Sequence, residues 1–72
     1  HQDARVYLAT LRPGDAVEYP ASGRHLWLQV LRGKVAVGEH VAQAGDGSAV
    51  SDEAGLSVAA VQPAEIMLFD LA

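Results

Sequence analysis

Imidazole, indole and guanidinium groups come closest together at Arg24, His25 and Trp27. His25 in that setting could ligate a metal or serve as a base. A protein metal site commonly needs three ligands, and no second histidine, aspartate or glutamate lies within a few residues of it. The other two histidines, His1 and His40, are isolated: one at the terminus, the other just after a Gly-Glu turn and read as solvent-exposed. Arg24, His25 and Trp27 are therefore read as a ligand or interface group. With Tyr7 or Tyr19 they could bind an acidic or aromatic molecule. Trp27 could instead pack in the core. Asp46, Asp52 and Glu53 lie near Ser48 and Ser51, but no histidine stands nearby to act as base, so a hydrolase triad would have to assemble from afar. Gly45-Asp46-Gly47-Ser48 has no following lysine and opens no helix, which makes it a turn and not a phosphate loop. No residue is assigned as catalytic, cofactor-binding or metal-ligating.

The elements that position these groups read as strands. Residues 4–11 alternate, with Ala4, Val6 and Leu8 on one side and Arg5, Tyr7 and Ala9 on the other, the period of a half-buried strand. Further strands are expected at 16–19, 25–32, 34–37, 40–44, 48–51, 56–60 and 64–71. The stretch from Leu26 to Leu31 is almost continuously apolar, the pattern of a strand buried on both faces or running through a sandwich core. Pro13-Gly14 marks a turn, and Gly38-Glu39 suits a two-residue hairpin. No window carries a capped helical stripe. About eight short antiparallel strands at regular spacing give an all-β sandwich or barrel.

With 72 residues the chain is read as a single domain, 1–72, whose core is small for its surface. There is no cysteine, which excludes disulfides and thiolate metal sites. The net charge is −4 and the five basic residues are scattered, so nucleic acid is not an expected partner. The apolar runs are too short for a membrane-spanning helix and no signal peptide opens the chain. A cytoplasmic location is the expectation. The start at His1, directly before a strand, reads as a fragment or processed piece of a longer protein.

The run Val30-Leu31-Arg32-Gly33-Lys34-Val35 and the turn Ala44-Gly45-Asp46 resemble the strand-and-bend and Gly-Asp motifs of the cupins, small RmlC-like jelly-roll barrels. Together with His1-Gln2-Asp3-Ala4, Trp27-Leu28-Gln29-Val30, Gly45-Asp46-Gly47 and Ile66-Met67-Leu68-Phe69-Asp70-Leu71, the chain resembles the C-terminal domain of the pirin-like, quercetinase-type bicupins over its whole length. Cupins hold a metal, often iron, on three histidines and a glutamate. Counting back from Gly33 places Leu26 at the glutamate and the first two histidines within Tyr19-Pro20-Ala21-Ser22. Counting forward from Gly45 places Ser51 at the motif's proline and Leu56 at the third histidine. None of these residues matches the motif. The resemblance thus implies a degenerate cupin without cofactor, with iron or another divalent metal belonging to an N-terminal cupin of the parent protein.

Two functions follow as expectations. One is a non-catalytic, metal-free domain that packs on and stabilises that N-terminal cupin, or pairs with a second copy of itself as a homodimer; the whole protein would be a quercetin 2,3-dioxygenase-like, metal-dependent enzyme. The alternative is a metal-independent small-molecule-binding or enzymatic cupin that uses the barrel cavity with Arg24, His25 and Trp27.

Overall fold

The computed structural model describes residues 4–20, 25–51 and 55–71, which form eight strands and their turns. In chain order they are β1 (Ala4–Leu11), β2 (Ala16–Pro20), β3 (His25–Arg32), β4 (Lys34–Val37), β5 (His40–Gln43), β6 (Gly47–Ser51), β7 (Gly55–Ala60) and β8 (Ala64–Leu71). They make two antiparallel four-stranded sheets, one ordered β1-β8-β3-β6 and the other β2-β7-β4-β5. This is the expected all-β jelly-roll architecture, with strand ends moved by a residue or so.

Turn chemistry explains the corners. At residues 12–15 Pro13 presets one torsion and Gly14 takes φ 92°, while the Asp15 amide donates to the Arg12 carbonyl at 2.9 Å. The Asp15 carboxylate accepts the Arg12 amide in return, at 2.9 Å. Residues 43–46 repeat the device, with Gly45 at φ 93° and the Asp46 carboxylate accepting the Gln43 amide at 2.9 Å. Asp46 is thereby engaged in its own turn, at the place where the sequence predicts one. The β4–β5 hairpin closes on Gly38-Glu39, with Val37 opposite His40 and Gly38 at φ 58°. Gly33 is a different case: its φ is 80°, and a Cβ there would stand 2.0 Å from the Pro63 carbonyl oxygen.

The core lies between the sheets. Leu26, Leu28 and Val30 of β3 and Ala64, Ile66 and Leu68 of β8 face Val35, Ala42, Leu56, Val58 and Ala60 of the other sheet. Of the two courses expected for β3, burial on both faces is corrected and a run through the sandwich core is met: one face lies in the core and the other is open. Trp27 and Leu31 are exposed, because no layer of described residues covers the far side of the first sheet. The long apolar run therefore records a sheet with two apolar faces, one of which is open.

Candidate functional site

The first candidate is that open face. The register places Val6, Phe69, Trp27 and Ala49 in one row across β1, β8, β3 and β6, with Leu8, Met67 and Gln29 in the next row and Ala4, Leu71 and His25 in the row before. Val6 and Leu8 are 58% and 61% exposed, Trp27 40% and Leu71 44%. Phe69 and Met67 are half-buried between them. Among the described residues of the face, the Asp, Glu, Lys and Arg side chains are Arg32 and Glu65 at its edge, which pair at 3.5 Å.

Trp27 is fixed in place on this face. Its indole N–H donates to Gln29 Oε1 at 3.2 Å, and the Gln29 amide donates to the Asp46 carbonyl at 3.1 Å. Beneath the ring lies Gly47, where a Cβ would come within 2.3 Å of the indole. An aromatic side chain already held by a hydrogen bond and a close backbone neighbour loses less freedom on binding, which suits it to anchor an interface.

The second candidate lies inside, at the end of the barrel where β2 and β8 meet. The alternation that turns Ile66 and Leu68 inward also turns Asp70 inward, where it is 2% exposed. The Tyr19 hydroxyl donates to Asp70 Oδ2, tying the second sheet to the first. The Tyr7 ring stands 5.4 Å from that of Tyr19, with the hydroxyl oxygens 3.5 Å apart. Arg5, opposite Asp70 on β1, hydrogen-bonds Tyr7. The bond to Asp70, then the one to Tyr7, holds the Tyr19 phenol well above its ordinary range, since ionisation would set a phenolate against a carboxylate. Tyr7 is shifted down by its bond to Tyr19 and then by Arg5. Both shifts draw on one Tyr19 proton, and the charged carboxylate is the stronger acceptor. The upward shift of Tyr19 is the firm direction of the pair.

Of the residues singled out from sequence, Arg24 lies outside those described, as do His1, Asp52 and Glu53. His25 and Trp27 stand on the outer face and do not line the interior, so the proposed cavity group does not come together. The reason is parity: Leu26 and Leu28 take the inward positions of β3, leaving 25 and 27 outside. His40 is exposed, as expected. Asp70 was missed as a site residue, although a charge at the third step of the Ile66, Leu68, Asp70 alternation was its signal.

Leu26 and Leu56, at the glutamate and third-histidine positions of the cupin motif, are buried and apolar, with Asp70 opposite Leu26 and Tyr19 opposite Leu56 in the sheet registers. No three His, Asp or Glu side chains converge among the described residues. No helix among them is long and apolar enough to cross a membrane.

Comparison with known proteins agrees with this architecture. The family model for the quercetinase C-terminal cupin domain matches residues 1–71. A quercetin 2,3-dioxygenase of Escherichia coli (strain K12) is 38% identical over 72 residues, covering 99% of this chain and 31% of its own length. The bacterial pirin YhhW from Escherichia coli, solved in complex with nickel(II), superposes with a TM-score of 0.92 at 35% identity, over 99% of this chain and 31% of its own. An RmlC-like cupin from Desulfovibrio desulfuricans shares the fold at a TM-score of 0.73 and 20% identity, over 99% of this chain and 74% of its own. The chain thus spans about a third of the curated relatives it matches, and it belongs to the quercetinase C-terminal cupin domain family.

Proposed function

We propose that the chain is a metal-free, non-catalytic cupin that packs on and stabilises a metal-bearing cupin preceding it in a longer, cytoplasmic protein. The observation that carries this reading is the pair Leu26 and Leu56, buried hydrocarbon at two of the four positions where the family motif has donor atoms. Leucine can neither ligate a metal nor move a proton, and Asp70 already accepts a hydrogen bond from Tyr19. Quercetin 2,3-dioxygenase chemistry, the activity for which the Escherichia coli relative is named, then belongs to the preceding barrel, with iron or another divalent metal supplied there. The test is metal analysis of this purified chain after incubation with iron(II), nickel(II) and zinc(II) and desalting. Far less than one ion per chain is expected. A stoichiometric ion would overturn the proposal.

A second reading, a metal-independent ligand-binding cupin, draws on an open pocket of about 570 Å³ beside Tyr19, Leu56, Glu18 and Ser57. It ranks lower because Glu18 and Ser57 pair on the outer side of their sheet, away from Tyr19 and Leu56. A thermal-shift screen with flavonoids and sugar acids tests it: a saturable rise in Tm that Tyr19→Phe abolishes would raise it above the first.

A further inference from the structure

We propose that Tyr7 and Tyr19 form an oxidation-sensitive pair that a one-electron oxidant joins into a dityrosine, a covalent tie between the two sheets at one end of the barrel.

The chain has two tyrosines, and the fold brings both to one place. β1 belongs to the first sheet and β2 to the second, so residues twelve positions apart meet across the sandwich. The ring centres stand 5.4 Å apart with the planes tilted by 57°, which is aromatic contact. The hydroxyl oxygens are 3.5 Å apart, so the hydroxyl-bearing edges of the two rings face each other. Phenoxyl radicals couple at the ring carbons beside the oxygen, and those carbons lie along these edges. Tyr7 is 41% exposed, which opens it to an oxidant in solvent and leaves it room to pivot toward its half-buried partner.

A phenol that gives up an electron becomes a strong acid and must release its proton. Tyr19 already donates its hydroxyl proton to the buried Asp70 carboxylate, so the acceptor is in place, while Tyr7 opens onto water. Each phenol loses one electron to the oxidant and its hydroxyl proton, Tyr19 to Asp70 and Tyr7 to water. The two radicals then form one carbon–carbon bond beside their oxygens. The hydrogen on each bonded carbon leaves as a proton, and each oxygen takes one back. In sum, two equivalents of a one-electron oxidant are reduced, two protons are released, and the chain becomes lighter by two hydrogen atoms. Radicals that peroxide yields at a metal are oxidants of this class. The product closes a loop through β1, the 12–15 turn and β2, and so restricts the unfolded chain as a disulfide would, in a chain that has no cysteine to make one.

The test is brief photo-oxidation of the full-length parent with tris(bipyridyl)ruthenium(II) and persulfate, under conditions that couple free tyrosine, followed by digestion before aspartate and mass spectrometry. Asp15 lies between the two tyrosines, so digestion separates residues 3–14 from residues 15–45 unless the rings are joined. The expected product is these two peptides linked, lighter than their sum by two hydrogen atoms. Its yield should be independent of protein concentration, fall several-fold in urea, and vanish in Tyr7→Phe. Peptides that stay unjoined would show that the rings do not couple. A yield that grows with concentration would place the bond between molecules, and an equal yield in urea would show that nearness in sequence, and not the fold, brings the rings together. Each of these three results would overturn the proposal.

Discussion

The Trp27 indole packs so close to β6 that its neighbour there must lack a side chain, and Gly47 is that neighbour. A methyl group placed there would meet the indole Cζ2 at 2.3 Å. The ring can escape by swinging into solvent, so Gly47→Ala should cost little stability, about 1 kcal/mol or less. It should move Trp27 fluorescence to longer wavelength. Unchanged emission would mean the ring is not seated as described. Tyr19 makes a prediction of another kind. Its phenol is held above the ordinary value in the folded chain and returns to about 10 on unfolding. Above pH 10 the unfolded chain therefore binds fewer protons than the folded one, and stability falls as pH rises. The contribution is whole below pH 10 and drains away through the folded value. Tyr7 is shifted the other way, so the clean measurement compares Tyr7→Phe with the Tyr7→Phe/Tyr19→Phe double variant. In thermal melts between pH 9 and pH 12, the single variant should lose Tm more steeply. Parallel slopes would deny the Tyr19–Asp70 tie.

Glycines in the connections show how the elements are fixed, because two with similar backbone angles should respond very differently. Gly33 has φ 80° and the Pro63 backbone packed where a Cβ would be; Gly38 has φ 58° and nothing within 4 Å. Gly33→Ala should cost roughly 3 kcal/mol or more, the left-handed penalty plus a backbone clash. Gly38→Asn should change stability by less than about 1 kcal/mol, since asparagine tolerates that region. Denaturant midpoints measure both, and similar losses would show that close packing against Pro63 is not what Gly33 serves. Turns and alternation made these elements legible in the sequence, down to the two-residue hairpin. The facing of the strands was less so. In β1 the alternation separates Val6 and Leu8 from Arg5 and Tyr7, and burial alone would send the first pair inside. Pairing with β8 does the opposite, setting Arg5 opposite Asp70 and Tyr7 opposite Leu68. That end of the interior is polar, and the outer side is where hydrocarbon is left for a partner. Neither condition can be seen in β1 by itself, since each depends on residues more than fifty positions away. The same distance hid the Tyr19–Asp70 tie.

For the molecule as a whole, the open face and the small core are two sides of one economy. A single core in a chain of this length supplies only about 3–5 kcal/mol, and the residues of the open face add nothing until they are covered. Removing one fully buried side chain should then bring the isolated chain to the edge of unfolding. Leu28 is 1% exposed at the centre of β3, and Leu28→Ala at such a site costs about 2–5 kcal/mol. The isolated variant should lose much of its strand signal in circular dichroism at 25 °C. In the full-length parent the same substitution should leave the barrel folded, with a lowered denaturant midpoint, if the neighbouring domain stabilises it as proposed above by burying apolar surface that the isolated chain exposes. If instead the isolated variant melts close to the unsubstituted chain, the core is sufficient by itself, and a tethered partner is not needed to explain how so small a barrel stays folded.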